Sequence, residues 1–428
     1  MSATPDQPEL TPSVNDEQPN EREENVRRRA KRARARRVLV GVLIFLTAGL
    51  GLYAIWPWLL PAFIWEGPLL QKAGPDEVTL IWYMTRPVGD GLHVTIGDGA
   101  RQASAVETDG RRCRAVLTGL QPGQTYPYTI KLGRRTLAQH KLRTNKRADE
   151  PFTFIVFGDS GKGTQEQYLL ATRMIATQPD FILHTGDLIY SRGERRHYRS
   201  RFFVPYGELL AQVSFWPSIG NHDVFEPIDA SPYFDVFELP ENGPPELPPE
   251  HNYWFDYAAA RIAVIDTELD EATLADQVAP WLYQVLAEAD TLWRFVVFHR
   301  PPYTAGAHAP SEEVQRAIVP VLESTGVDVV FNGHDHMYER THPIRDGELA
   351  EDGDGVVYVV SGAGGAMLYE ALPPEQRPPY LAALHNEVHS FTHVSVAGSE
   401  LTLEQISLDG EILDRWTLRK TADAAPAP

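Results

Sequence analysis

Cysteine is all but missing: Cys113 stands alone in 428 residues. An intrachain disulfide needs two thiols and a thiolate metal cluster three or four, so both are excluded. Stability rests on packing, and any metal must be held by imidazole, carboxylate and other oxygen ligands. A basic surplus is lacking too. Lys and Arg number 39 against 58 Asp and Glu, a formal charge of -19, which speaks against the basic face that nucleic-acid binding requires. Eight of those basic residues crowd between Arg27 and Arg37, so the rest of the chain is more acidic than the total suggests. At roughly 100 to 200 residues per domain, this length predicts two or three domains with ample core.

Apolar residues are nearly absent from residues 1–26, which are rich in Pro, Asp, Glu, Asn and Gln; such a stretch buries too little to offset its ordering entropy. Residues 1–37 are accordingly read as a disordered cytoplasmic tail ending in the basic cluster. Residues 38–65 then run 28 positions without a charge, where about 20 apolar residues suffice to span a bilayer. Tyr53, Trp56, Trp58 and Trp65 gather toward the far end, as amphipathic rings do at a headgroup boundary. Together with the Arg cluster they predict a single-pass signal anchor, N-terminus in the cytoplasm and the remainder periplasmic or extracellular. A cleaved signal peptide is the competing reading, but the apolar run exceeds an h-region and no small-x-small site precedes a polar chain.

Residues 66–148 carry short strand patterns over 78–83, 92–96, 115–117, 126–132 and 138–143, separated by Gly, Pro and Asp, and so predict a small β-sandwich. Trp82 falls in mid-strand, and Tyr126 and Tyr128 follow the Pro122-Gly123 turn. The segment resembles the fibronectin type III pattern, in which a buried Tyr closes a corner between sheets. Its expected role is a packing spacer.

From 149 to 420 the period changes to apolar strands alternating with helical stretches, the signature of stacked α and β layers. Strands are predicted over 152–157, 181–184, 261–266, 293–299, 327–331 and 356–361, helices over 165–177, 276–289 and 312–323, and a surface loop over 240–251. Three more strands, 392–396, 400–406 and 412–418, close the domain before a disordered tail at 421–428. The fold class is α/β: a two-sheet αββα sandwich behind the β-sandwich and the anchor.

Five polar blocks stand at predicted strand ends: Gly158-Asp159-Ser160-Gly161, Gly186-Asp187 with Tyr190, Gly220-Asn221-His222-Asp223, His299, and Gly333-His334-Asp335-His336. Their ligand-type atoms are two carboxylates, a phenol, an amide oxygen and three imidazoles, a set suited to iron, manganese or zinc. Seven groups are too many for one ion and enough for two that share a carboxylate. Paired cations clamp the attacking and leaving oxygens of an in-line displacement, which is what phosphoryl chemistry demands.

In this order the blocks resemble the purple acid phosphatase branch of the calcineurin-like metallophosphoesterases, over roughly residues 68–420. The resemblance implies that Asp159, Tyr190 and His336 hold a ferric ion, that Asn221, His299 and His334 hold a divalent ion (Fe, Zn or Mn), and that Asp187 bridges them. It further implies hydrolysis of phosphate monoesters by in-line attack of a metal-bound hydroxide, with His222 on the phosphoryl oxygens and His308 protonating the leaving group. Most metallophosphoesterases have Asp-x-His in the first block, where Gly161 stands here; Tyr190 replaces that histidine with a phenol suited to Fe(III). Gln277, Trp281 and Leu282, and the Tyr338-Glu339-Arg340 run, also match the family. Asp223 stands where Glu is commoner, and a His-His pair is reduced to His308 followed by Ala309, which leaves the leaving-group acid open.

Other polar residues read more plainly. His184 lies inside an apolar strand and reads as a satisfied core histidine, while His385 and His389 are spaced as on one helical face but lack the zincin order. Arg192, Arg195, Arg196 and Arg199 read as a solvated helix face, with reach to a substrate phosphate as the alternative. The expected partner is a phosphate ester, with no nucleic acid and no predicted oligomeric state. A phosphodiesterase of the same chemistry and a non-catalytic surface binding protein are the alternative functions.

Overall fold

The structure, a computed structural model, describes residues 21–59, 61–97, 101–102, 106–225, 229–351 and 353–420, with side chains at 21, 23, 50–59 and 101–102 outside the description. It divides into two units, residues 1–61 and 62–428.

In the first unit the described residues form one helix, Glu21–Leu59. The expectation of disorder is therefore corrected for residues 21–37; residues 1–20, like the tail at 421–428, lie outside the description. The Arg and Ala repeated over 27–37 are strong helix formers, and Glu24 sits 3.8 Å from Arg28 one turn on. Among the described residues no helix is long and apolar enough to cross a membrane. The predicted span also ends early: the helix stops at Leu59, and Trp65 belongs to the strand Ile64–Gln71.

The second unit begins with two four-stranded antiparallel sheets. One orders Ile64–Gln71, Glu77–Met84, Arg112–Thr118 and Glu107–Asp109; the other orders Arg101–Gln102, Leu92–Ile96, Thr125–Leu132 and Arg135–Arg143. Successive side chains point to opposite faces of a strand, and here both faces are used. Leu70, Leu80 and Trp82 enter the core between these sheets, while Leu69, Ile81 and Tyr83 enter the core of the following layers. The strand Ile64–Gln71 escaped the sequence reading because a strand buried on both faces shows no alternation. Tyr126 is half-buried, and its hydroxyl accepts from Gln121 N at 3.0 Å. The fully buried ring is instead Tyr128, whose hydroxyl donates to Ala211 O at 2.7 Å across the junction.

Two larger sheets follow. The six-stranded sheet orders Ser214–Pro217, Phe181–His184, Phe152–Phe157, Ser390–Ala397, Glu400–Ser407 and Ile412–Arg419. The seven-stranded sheet orders Tyr253–Tyr257, Ala260–Val264, Trp293–Val297, Val329–Asn332, Val357–Ser361, Tyr338–Thr341 and Leu381–His385. They share a core: Phe154 packs against Phe295 and Phe331, rings from opposite sheets. Along the second sheet Val264, Val297, Phe331 and Val359 face that core, while Ala263, Val296, Val330 and Tyr358 face the helices. This two-core alternation yields the continuous apolar runs of parallel strands, and it is the predicted two-sheet layering.

The helix Gln165–Thr177 has its predicted bounds, capped by Thr164 accepting from Gln167 N. The other two expected helices are shorter or broken at prolines, which lack the N–H a continuing helix needs. Over 276–289 a wide turn, Leu274–Val278, leads into Ala279–Ala287 with Pro280 in its first turn. Over 312–323 the chain splits into Glu312–Ala317 and Val319–Ser324 around Pro320. His385 and His389 share no helix: His385 ends a strand and His389 Nε2 lies 2.9 Å from Ala366 O.

Candidate metal centre

Each polar block follows the carboxyl end of a parallel strand. Phe152–Phe157, Phe181–His184 and Ser214–Pro217 run parallel in one sheet, and Trp293–Val297 runs parallel to Val329–Asn332 in the other. Their ends open on one crevice, the usual ligand site of such sheets. The sheets are pinned together there: His299 Nδ1 lies 2.8 Å from Thr185 O, and Gly158 N donates to Ser361 O at 2.8 Å.

The seven candidate ligands come together in two groups. Tyr190 Oη lies 3.0 Å from Asp159 Oδ1, 2.9 Å from Asp187 Oδ2 and 2.9 Å from His336 Nε2. The carboxylates of Asp159 and Asp187 and the ring of His336, all buried, offer ligand atoms within 4.8 Å of one another. In the second group Asn221 Oδ1 lies 3.1 Å from His299 Nε2 and 3.0 Å from His334 Nδ1, and the two imidazole nitrogens are 3.2 Å apart. Asp187 reaches this group as well, its Oδ1 being 3.5 Å from His299 Nε2.

Carbonyl neighbours set the ring tautomers. A carbonyl only accepts, so His336 Nδ1 donates to Met367 O at 2.7 Å and His299 Nδ1 to Thr185 O. In its neutral form each ring then keeps a lone pair on Nε2 aimed at its group, the arrangement metal-ligating histidines show. His184 is not part of the centre; its Nε2 meets Ser160 Oγ at 2.9 Å within the core, as its apolar strand suggested.

The backbone is shaped to the same end. Asp159, Asp187 and His334 adopt φ of 54°, 57° and 70°, a left-handed conformation that costs a non-glycine residue about 1 kcal/mol or more and gathers at functional sites. Gly161 explains the missing first-block histidine. A Cβ there would overlap the Leu188 carbonyl oxygen, because the loop carrying Tyr190 closes over it, Tyr190 N donating to Gly161 O at 3.0 Å. The close approach that delivers the phenol leaves no room for a first-block side chain. Asp223 ties the second and third blocks, accepting from Asp187 N at 2.9 Å, Leu188 N at 3.0 Å and Gly220 N at 3.0 Å.

Electrostatics follow from burial and mutual proximity. Burial, then Asp159 and Asp187, hold the Tyr190 phenol well above its ordinary value, so its proton departs only to a competing cation. Burial opposes charge on His299, but Asp187, Asp159 and Glu268 outweigh it and raise the ring to about 9. His334 is driven the other way by burial, His299 and His308. A centre that holds protons among two carboxylates, a phenol and three imidazoles is one where multivalent cations would displace them, and the oxygen and nitrogen donors suit iron, zinc or manganese.

His222 and His308 flank the groups. The His222 ring lies 4.5 Å from that of Tyr190 and its Nδ1 2.6 Å from Ser191 O. His308 lies 4.1 Å from the His334 ring, its Nδ1 3.0 Å from Asp335 Oδ1. Two neighbours had no expected role. Buried Asp335, between two ligand candidates in sequence, also accepts from Thr304 Oγ1 at 2.7 Å and so grips the His308 loop. Tyr369 stacks on His336 at 3.9 Å and 12°; nothing in sequence links it to a ring 33 positions earlier.

Comparison with known proteins agrees with this geometry. Residues 152–338 match the calcineurin-like phosphoesterase family, and residues 355–415 match the iron/zinc purple acid phosphatase-like protein C family. Purple acid phosphatase 17 of Arabidopsis thaliana is 23% identical over 314 residues, covering 64% of this chain and 86% of that protein. Purple acid phosphatase 18 of the same plant is 30% identical over 236 residues, about half of each chain. Among solved structures, purple acid phosphatase PPD1 from yellow lupin (Lupinus luteus) seeds shares the fold with a TM-score of 0.72 at 20% identity, over 85% of this chain and 76% of that one. The chain is a purple acid phosphatase-like member of the calcineurin-like metallophosphoesterases, a superfamily of metal-dependent phosphoric ester hydrolases.

Proposed function

We propose that this chain hydrolyses phosphate monoesters at a dinuclear centre, with Asp159, Tyr190 and His336 holding a ferric ion, Asn221, His299 and His334 a divalent ion (Fe, Zn or Mn), and Asp187 shared. The observation that carries this is the division of seven donor side chains into two groups with one carboxylate facing both. Such ions supply Lewis acidity and an acidified water at neutral pH or below.

The chain's own residues supply the rest. With Nδ1 donating to Ser191 O, His222 turns its Nε2 toward the crevice, 3.9 Å from Asp187 Oδ2, placed so that an imidazolium there would donate to a phosphoryl oxygen. His308 has Nδ1 on the Asp335 carboxylate and a side chain 40% exposed, so its other nitrogen can deliver a proton to a departing alkoxide. The Asp335 carboxylate holds the ring in that orientation. Metal analysis and a visible spectrum of the full chain, with rates on a phosphate monoester and a diester, test the reading. Two metals per chain, a charge-transfer band and preference for the monoester are expected; faster diester cleavage would make it a phosphodiesterase.

Attachment to a membrane, with the hydrolase periplasmic or extracellular, rests on the sequence alone: a charge-free run of 28 residues behind eight basic ones. Protease added outside intact cells or opened envelopes should digest the chain beyond residue 65 and spare an N-terminal tag. The opposite pattern would reject it.

A further inference from the structure

The arginines after the second block do not share one fate. Arg195 bridges Glu66 and Asp235, Arg196 pairs with Glu194, and Arg199 lies over Trp65 at 3.9 Å. Arg192 alone of the four stays at the centre's mouth. Its guanidinium lies 4.9 Å over the Phe225 ring, Phe225 stacks on His222 at 6.1 Å and 13°, and His222 rests on Tyr190. On another side of Tyr190, Lys162 Nζ lies 5.5 Å over the phenol ring.

Both cations are exposed, and among the described residues neither has a carboxylate partner. That is unusual in a chain of net charge -19, where 19 more acidic than basic residues make a partner easy to supply. Stacking fixes the Arg192 side chain without neutralising it. Phe225 itself is 39% exposed, so the column Tyr190, His222, Phe225, Arg192 forms one wall of the crevice and ends in a positive charge with no carboxylate partner among the described residues. A substrate phosphate engaged by His222 would be followed along that wall by whatever the ester group carries.

We infer that Lys162 and Arg192 form a second anion subsite, so that the enzyme prefers phosphomonoesters bearing a further phosphate or comparable dianion near the one being cleaved. This deepens the phosphatase reading and rests on it. The acidic remainder of the surface repels such polyanions, so the two cations also decide where they dock. Charge-assisted hydrogen bonds to a planar guanidinium give the site its geometry.

Non-hydrolysable ligands separate this inference from the activity. Calorimetry on the metal-loaded full chain compares a short alkane bisphosphonate with the matching alkyl monophosphonate, in the wild type and in the Lys162→Gln/Arg192→Gln double variant. The wild type should bind the bisphosphonate about tenfold more tightly. In the double variant the ratio should fall to about twofold, the statistical advantage of two equivalent ends, and added salt should erode the wild-type ratio because exposed charges are screened within about 10 Å. Equal affinities in the wild type, or a preference that survives the double substitution, overturn the subsite and leave the phosphatase reading standing. Failure of both ligands to bind overturns both.

Discussion

The hydroxyl of Tyr190 lies 2.9 Å from Asp187 Oδ2, a residue three positions back on the same loop. Phenol and carboxylate thus share one proton where the family resemblance expects them to share one cation. Tyr190→Phe should leave the fold intact, since the ring is packed by His222 and His336, yet remove the only phenol in the ferric group. Loss of the visible charge-transfer band and reduced iron per chain are expected, measured by absorbance and metal analysis. A variant retaining both would remove Tyr190 from the ligand set.

Asp187 faces both donor groups, whereas Asn221 lies against His299 and His334 of the second group. Asp187→Asn should therefore release both metals together on dialysis, and Asn221→Ala chiefly the divalent one. Equal retention of both metals in the Asp187 variant would end its assignment as the bridge.

Gly161 is set by backbone approach. Gly161→Ala drives a Cβ into the Leu188 carbonyl, and overpacking of this kind costs about 1–3 kcal/mol. A lower denaturation midpoint is expected even in metal-stripped protein, with weaker iron binding because the loop that moves is the one delivering Tyr190.

The same carboxylates that favour metal make the stripped protein sensitive to alkali. His299 is raised from 6.5 to about 9 in the folded chain, so folding takes up a proton on this ring and the associated stability is fully present below about pH 6.5. It is lost as pH rises through about 9, by as much as about 3 kcal/mol. Chelator-treated protein should thus unfold at lower denaturant concentration at pH 9 than at pH 6. The metal-loaded protein should lack this loss, the cation having replaced the proton.

Arg195 joins the β-sandwich to the catalytic layers through Glu66, which is 6% exposed, and through Asp235. Arg195→Ala would leave Glu66 buried without its partner, a loss of about 1–3 kcal/mol after allowance for the arginine's partial exposure. Both sheet systems should still melt in one transition, because Leu69, Ile81 and Tyr83 of the sandwich belong to the catalytic core. Two separate transitions in the wild type would contradict that shared core.

Much of this was legible in the linear chain, for a local reason. Strands such as Phe152–Phe157 and Phe181–His184, and the helix Gln165–Thr177, are short periodic patterns bounded by turn residues, and they stand where periodicity put them. The seven ligand candidates were recognisable because each sits beside its strand end in a compact polar block. What the sequence by itself determined is therefore the element order, the donor types and the absence of thiolate chemistry. Only the tertiary structure decided which oxygen of Asp187 faces which group, why Gly161 excludes a side chain, that Asp335 grips His308, and that Arg192 stacks on Phe225 while Arg195 turns to Glu66. Those relations join residues up to 129 positions apart, as Arg195 and Glu66 are. They depend on how two sheets pack and where their loops close, and the period of a single strand carries no record of that.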